Sequence, residues 1–212
     1  GIAHEINNPL NFIKGGAYGI EAFLKENMED HLDELNPLLE GINEGVHRAA
    51  NIVKSLSHYS RRNDSNLVEC DIHAIIDNCL VILQNQIKNR IDIEKIYTDG
   101  VHNIKCNEGK IHQVVLNILT NATHAIEKQG VIKIKIESDT SNIIICIKDS
   151  GCGISKENLT KIFDPFFTTK EAGKGTGLGL SIAYNIVKDH KGTIEVNSEI
   201  NKGTEFKIIL PL

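Results

Sequence analysis

Two apolar seams, each with alternating spacings of three and four residues, occupy the first sixty positions of this chain. The first seam is Ala3, Ile6, Leu10, Ile13, Ala17, Ile20 and Leu24, and the second is Leu39, Ile42, Val46, Ala49, Val53 and Leu56. This heptad spacing is typical of helices that pack against other helices. Because two helices alone bury little apolar surface, the seams predict a helical hairpin that pairs with a second copy into a four-helix bundle.

Three glycines lie within the first predicted helix. Gly15, Gly16 and Gly19 each weaken a helix by about 1 kcal/mol relative to alanine. The sequence leaves two explanations open: another backbone approaches closely at these positions, or the helix is locally soft.

A polar run without periodicity separates this hairpin from the rest of the chain. It covers residues 61–66, so we expect a helical domain over 1–62, a linker over 63–66 and a second domain over 67–212. In the second domain we expect helices over 72–86, 108–128 and 180–188, strands over 91–97, 131–137 and 143–148, and a hairpin over 192–211. The predicted fold class is therefore α + α/β, with the hairpin followed by an α/β sandwich whose helices cover one face of a mixed sheet.

Composition excludes several classes of function. The formal charge of -5 and the absence of a basic stripe argue against a nucleic-acid partner. The five cysteines form no Cys-x-x-Cys pair, which favours reduced thiols and a cytoplasmic location over a zinc or redox site. No apolar run approaches the ~20 residues of a membrane span, so we expect no membrane contact. The start at Gly1 indicates a fragment, whose full-length protein could still be anchored in a membrane.

A polar strip runs along the predicted helix 108–128, on the side away from its apolar face. Its members are Gln113, Asn117, Asn121 and His124. Carboxamide oxygens can hold Mg²⁺ while phosphates and waters complete its octahedral shell. A solvated helix face is the other interpretation of this strip.

An aspartate ends the next apolar strand, and two glycines follow it in the segment 149–154. A buried carboxylate is costly unless it accepts hydrogen bonds, and the exocyclic amine of adenine is a suitable donor for Asp149. Gly151 and Gly153 would let the backbone approach a purine closely. Short segments of this kind are also common in ordinary turns.

A glycine-rich segment, 173–181, runs directly into a predicted helix. Backbone N–H groups at a helix start bind anions such as phosphate. The segment lacks the residue order of a P-loop and follows no strand of a βαβ unit, which argues against a dinucleotide fingerprint. A flexible loop is the alternative.

The order of these segments resembles the successive boxes of the sensor histidine kinases. The match runs through 4–10 (HEINNPL), Asn117 with Asn121, 149–154 (DSGCGI), 162–170 (IFDPFFTTK), 175–180 (GTGLGL) and 203–206 (GTEF). The resemblance implies a dimeric phosphoacceptor domain, followed by the ATP-binding fold that the family shares with gyrase and chaperone ATPases. It also implies Mg²⁺ and ATP as cofactors, and a response-regulator receiver as the partner that takes the phosphoryl group.

By the same resemblance each matching residue receives a role. His4 would be the nucleophile, Glu5 its general base, and Asn8 the residue that orients water if the protein also dephosphorylates its regulator. Asn121 and Asn117 would bind the metal. The predicted nucleotide contacts are Asn117, Asn121, His124, Asp149, Gly151, Gly153, Ile154, Lys170, Gly175, Thr176, Gly177, Leu178, Gly179, Leu180 and Thr204. Residues 163–177 would form a mobile lid.

Two other functions compete with this interpretation. A degenerate kinase would dimerise and hold nucleotide without phosphorylating a histidine. An ATPase of the same fold would act on other partners and would not need His4 and Glu5.

Overall fold

The computed structural model describes residues 2–27, 35–43, 45–46, 49, 67–98, 102–170 and 175–212, with side chains of the first helix described for residues 10–26. The chain divides into two compact units, residues 1–63 with 168–178, and residues 64–167 with 179–212. Residues 50–66 lie outside the described part of the chain, so the predicted linker and domain limits stay a prediction.

The first unit contains two helices that share a small apolar core. Helix α1 spans Ile2–Asn27, and residues 35–43 form a second helix, α2. Four leucine and alanine side chains pack together between them: Ala17, Leu24, Leu35 and Leu39. Helix α1 is continuous through its three glycines, and a Cβ at Gly15, Gly16 or Gly19 would meet no described atom within 4 Å. Close backbone approach among the described residues therefore does not explain these glycines.

The second unit contains two sheets. The strands are β1 (Val68–Asp71), β2 (Ile91–Tyr97), β3 (Asn103–Cys106), β4 (Gly130–Ser138), β5 (Asn142–Asp149), β6 (Thr193–Glu199) and β7 (Gly203–Pro211). β1 and β3 form a small antiparallel pair, and the other five form one sheet in the order β2-β4-β5-β7-β6. β2 runs parallel to β4, whereas the remaining neighbours are antiparallel. The large sheet is thus mixed.

Among the described residues of this unit, five helices accompany these strands. They are α3 (Ile72–Ile82), α4 (Gln84–Ile87), α5 (Glu108–Ala125), α6 (Lys156–Leu159) and α7 (Gly179–Asp189). α5 packs against α3, α7, β5 and β7, and α7 also packs against β6. No helix in the described ranges is long and apolar enough to cross a membrane.

The large sheet is fully buried on one face only, whereas the other face mixes charged side chains with half-buried Ile144 and Ile209. Its buried side chains alternate along the strands, as Ile132, Ile134 and Ile136 on β4, Ile143, Ile145 and Ile147 on β5, and Phe206, Ile208 and Leu210 on β7. Intervening positions carry charges such as Lys133, which pairs with Glu94 at 2.7 Å. A side chain points to alternate faces along a strand, so the apolar face meets the helices and the charged face meets solvent. The predicted α/β sandwich is confirmed.

Several element limits differ from the sequence prediction. The helix expected over 72–86 is interrupted at Leu83, and the helix expected over 108–128 ends at Ala125. The four-residue elements β1, β3 and α6 were not predicted, because so few residues show no measurable period.

Tertiary contacts, rather than a local stop signal, end α5 at Ala125. Ile126 is extended and buried, and the carbonyl of Ala125 accepts a hydrogen bond from the Cys152 N–H at 3.0 Å. Arg90 donates to the carbonyls of Ile126 and, at 3.0 Å, of Thr123. Its guanidinium thereby satisfies carbonyls that a helix end leaves without partners, and it opposes the negative end of the helix dipole.

Replacing Arg90 with methionine keeps the aliphatic stem and removes these donors. We expect Arg90→Met to lower the free energy of unfolding by about 2 kcal/mol, because part-buried carbonyls lose a charged donor. Lys88→Met is the matched control, since Lys88 is exposed and two residues away. Urea denaturation measures both variants, and an equal loss in the two would contradict the role given to Arg90.

Candidate functional site

The polar strip of α5 meets the start of α7 at Asn117. Asn117 is half-buried, and its Nδ2 donates to the carbonyl of Gly179 at 2.9 Å. A Cβ on Gly179 would lie 3.6 Å from Asn117 Cγ, so the first residue of α7 sits directly against this side chain. The amide nitrogen is therefore committed to the protein, and Oδ1 remains an acceptor or ligand.

Asn121 lies one turn further along α5 and is also half-buried. Within the described residues its side chain makes no recorded hydrogen bond. Two amide oxygens on one helix face suit a hard cation, but they leave most of an octahedral shell to phosphate oxygens and water. The donor set fits Mg²⁺ that arrives with a phosphate ligand. His124, exposed on the last turn of α5, completes the strip.

Asp149 is the last residue of β5 and is only 4% exposed. Its Oδ1 accepts from the N–H of Gly151 at 2.8 Å and from the N–H of Thr204 at 3.3 Å. Burial raises the pKa of this carboxyl above its usual value, and the two backbone donors act in the opposite direction. Because the described hydrogen bonds go to Oδ1, the carboxylate is fixed in direction while Oδ2 can still accept from a ligand.

The turn after Asp149 is held between the end of α5 and the hairpin of β6 and β7. The N–H of Cys152 donates to Ala125 O at 3.0 Å, and its carbonyl accepts from the N–H of Asn201 at 2.8 Å. The N–H of Ile154 donates to Ser198 Oγ at 2.8 Å. Backbone groups that an irregular turn would leave unpaired are thus satisfied by two neighbouring elements.

Protein packing requires the two glycines of this turn. A Cβ on Gly151 would lie 2.6 Å from Ala125 Cβ, and a Cβ on Gly153 would lie 2.1 Å from Glu199 O. Gly153 also has φ of 73°, which favours glycine. The missing side chains therefore make room for the protein itself, and contact of these residues with a purine stays a prediction.

Ser198 belongs to this site although its sequence context gave no signal. Its Oγ accepts from Ile154, donates to Gly203 O at 2.9 Å and lies 2.9 Å from Thr204 Oγ1. Gly203 has φ of 93°, and a Cβ there would lie 1.9 Å from Asp149 O. The start of β7 is therefore pressed against the end of β5, which brings buried Thr204 to the carboxylate.

The remaining predicted residues fall in two places. Lys170, Gly175, Thr176, Gly177 and Leu178 lie in the segment 168–178 of the first unit, while Gly179 and Leu180 begin α7 in the second. Within the segment, a Cβ on Gly175 would lie 2.7 Å from Thr168 Oγ1. Gly177 has φ of 67°, and desolvation lowers the pKa of the Lys170 amine. Residues 171–174 of the predicted lid lie outside the described part of the chain.

His4, Glu5 and Asn8 lie on the first turns of α1. Their side chains are outside the described part of the chain, so the roles predicted for them stay predictions.

Two family models match the chain in succession. The model of the His Kinase A (phospho-acceptor) domain matches residues 1–65, and that of the histidine kinase-, DNA gyrase B-, and HSP90-like ATPases matches residues 106–212. The chain belongs to the histidine kinase-like ATPases. In this chain the phosphoacceptor domain precedes the ATPase domain, which is the domain order of a sensor histidine kinase. The family predicted from the motifs is therefore confirmed.

Curated histidine kinases align along the whole chain. Signal transduction histidine-protein kinase AtoS of Escherichia coli (strain K12) is 34% identical over 216 residues, which is 100% of this chain and 34% of AtoS. Sporulation kinase C of Bacillus subtilis (strain 168) is 33% identical over 214 residues, which is 100% of this chain and 48% of that kinase. The chain thus spans less than half the length of these relatives.

Solved histidine kinases share the fold. The catalytic domain of histidine kinase ThkA is 33% identical, with a TM-score of 0.62 over 68% of this chain and 97% of that domain. ThkA in complex with response regulator protein TrrA is 29% identical, with a TM-score of 0.71 over 99% of this chain and 59% of that chain.

The raised pKa of Asp149 predicts how stability depends on pH. An unfolded aspartate titrates near pH 3.9, and the buried carboxyl keeps its proton to higher pH. The folded state therefore binds more protons in that window, so the contribution of Asp149 to stability falls as pH rises from about 3.9 through its raised pKa. Asp149→Asn should lack this fall in nucleotide-free protein.

Asp139 supplies a control of opposite sign. It is exposed, and hydrogen bonds from the N–H groups of Ser141 and Asn142, both 2.8 Å, lower its pKa. Asp139→Asn should therefore remove a gain in stability with rising pH. Urea unfolding at several pH values measures the two slopes, and the same sign of change in both variants would exclude the burial argument for Asp149.

Proposed function

We propose that this chain is an ATP-dependent protein histidine kinase that phosphorylates His4 and passes the phosphoryl group to an aspartate of a response regulator. One observation carries the proposal. A buried, oriented carboxylate ends β5, and the half-buried amide of Asn117 on α5 contacts the start of α7, in a chain whose first 65 residues match a phosphoacceptor domain. The ThkA complex with TrrA supports a regulator as the partner.

Asp149 would select the nucleotide. Its Oδ1 is occupied by the N–H groups of Gly151 and Thr204, so Oδ2 is the acceptor for an exocyclic amine such as that of adenine. A buried carboxylate with one oxygen already satisfied loses less on desolvation than an unpaired one, and a donor from the ligand completes its hydrogen bonding.

The amides of α5 and the start of α7 would hold the phosphates. Asn121 and Asn117 would bind Mg²⁺ through their Oδ1 atoms, and Mg²⁺ neutralises phosphate charge when it is bound. The backbone N–H groups at the start of α7, near Gly179 and Leu180, would donate to phosphate oxygens. Lys170, Gly175 and Gly177 stay predicted phosphate contacts, on the ground of their sequence motif.

His4 would react as a neutral imidazole. Its ring nitrogen forms a bond to the γ-phosphorus while the bond from that phosphorus to the bridging oxygen of ADP breaks, and Glu5 takes the ring proton. The group then passes to the regulator carboxylate. Asn8, one turn after His4, would orient a water molecule that hydrolyses the phosphoryl group from the regulator aspartate.

Autophosphorylation at His4 has a direct test. Incubated with Mg²⁺ and γ-labelled ATP, the wild type should acquire label that is stable to base and released by acid, whereas His4→Gln should acquire none. His58→Gln is the matched control, since His58 also lies in the residues matched by the phosphoacceptor model. Equal labelling of wild type and His4→Gln would contradict the proposal.

Nucleotide binding separates the two competing functions. Wild-type protein that binds ATP but acquires no phosphoryl label would be a degenerate kinase. Wild-type protein that releases phosphate but acquires no phosphoryl label would be an ATPase. Asp149→Asn should bind ATP at least about tenfold more weakly, because a charged acceptor is lost.

We further propose that the hairpin dimerises. Of the first seam, Ala17 and Leu24 are buried within the hairpin, whereas Ile13 and Ile20 are 50% and 52% exposed. Phe12 and Phe23 on α1 and Leu38 on α2 are exposed as well. An apolar surface of this kind on a heptad helix is covered by further helices in a four-helix bundle. The five free cysteines support a reducing, cytoplasmic location for this part of the protein.

Charges in the exposed part of the seam should prevent dimerisation. Wild type should sediment with twice the 23.5 kDa mass of one chain, and the double variant Ile13→Glu with Ile20→Glu as a monomer. Asn11→Glu adds charge to an exposed position outside the seam and should leave the dimer intact. A double variant that remains dimeric would place the interface elsewhere.

A further inference from the structure

His190 follows α7 and uses both of its ring nitrogens. Nε2 lies 3.1 Å from the backbone nitrogen of Asn107, and Nδ1 lies 2.8 Å from the carbonyl of Ile186. A backbone N–H can only donate, so Nε2 accepts and carries no proton. A carbonyl can only accept, so Nδ1 carries the proton. The two partners together fix the ring as the neutral Nδ1–H tautomer.

This ring joins the end of one site helix to the start of the other. Asn107 is the N-cap of α5, where its side chain accepts from the N–H of Lys110 at 3.0 Å. His190 holds the backbone N–H of the same residue. Further along, Asn117 of α5 donates to Gly179 at the start of α7. The two helices therefore run antiparallel, and these two contacts hold α5 to α7 near both ends of α7.

We infer that His190 is a positioning residue for the nucleotide site. Through the neutral Nδ1–H ring it holds α7 against the N-cap of α5, and it thereby sets where the amides of Asn117 and Asn121 stand relative to Gly179. The inference rests on the proposed function, since it concerns the placement of groups that would bind phosphate and Mg²⁺.

Protonation of the ring would remove this contact. A proton on Nε2 would face the N–H of Asn107, so that two donors would meet where a hydrogen bond now exists. The same junction contains Lys110, whose Nζ lies 3.8 Å from Asp189 Oδ2.

The tautomer can be tested without nucleotide. In ¹⁵N-labelled protein at pH 8, the Nδ1 of His190 should show the shift of a protonated ring nitrogen and Nε2 that of an unprotonated one. A protonated Nε2 at this pH would overturn the inference, whether or not the chain binds ATP.

Binding of a non-hydrolysable ATP analogue with Mg²⁺ tests the positioning role. His190→Phe keeps the ring volume but removes the bonds to both Asn107 and Ile186, of which only the first joins α5 to α7. Calorimetry at pH 8 should therefore show roughly three- to tenfold weaker binding, as expected when that one hydrogen bond between the helices is lost. His190→Gln offers both an amide oxygen and an N–H, and it should bind within about twofold of wild type. His112→Gln, on the same helix but without a contact to α7 among the described hydrogen bonds, should match wild type.

Rescue by the conservative variant separates positioning from mere stability. Folded His190→Phe should bind the analogue more weakly than wild type, whereas His190→Gln should regain wild-type affinity. An equal loss of affinity in His190→Gln and His190→Phe, or tight binding by folded His190→Phe, would overturn the inference. Wild type that binds no analogue at any pH would refute the proposed function, while the tautomer measurement would still decide the geometry of His190.

Discussion

Burial of one side of α5 is the constraint on which the site depends. Ile111, Val115, Ile118 and Ala122 are almost inaccessible and pack toward the sheet and the neighbouring helices. Because an α-helix has 3.6 residues per turn, burying its apolar side also fixes the direction in which Asn117 and Asn121 point. The amides cannot rotate into the core without exposing four aliphatic side chains. Their orientation is thus set by the hydrophobic effect before any ligand is bound.

Side chains from distant parts of the chain also hold the two ends of α5 in place. Arg90, just before β2, donates to carbonyls at the end of α5, and His190, after α7, accepts from the N–H of Asn107 at the beginning of α5. Both supply what a helix terminus lacks, donors at the C-terminal end and an acceptor at the N-terminal end. The axial position of α5 is therefore fixed by neighbours that are separated from it by many residues in sequence.

The sequence predicted the parts of this arrangement that repeat. Alternating isoleucines located β4 and β5, and a period of 3.6 located the buried side of α5. Motif order located Asp149 and Asn117 and gave the family. Contacts between distant residues have no period, so the sequence could not show that Ser198 bonds Ile154, that Arg90 ends α5 three residues early, or that Gly203 lies against Asp149. The glycines show the limit most clearly. Gly151 and Gly153 stood out as a pair, but the reason for them is contact with Ala125 and Glu199, which only the fold reveals.

The site residues thus fall into two physical groups. Gly151, Gly203 and Thr204 are held by packing or by buried hydrogen bonds, so a change at any of them alters the fold around Asp149 as well as any ligand contact. Asn121 has no recorded side-chain partner in the described residues, so it contributes little to folding that a substitution could remove. Substituting a buried group that already has hydrogen-bond partners lowers the stability of the fold, whereas substituting an accessible amide changes it little. Loss of function at Asn121 can therefore be assigned to lost ligand contacts, while loss at the buried residues requires a measurement of folding beside it.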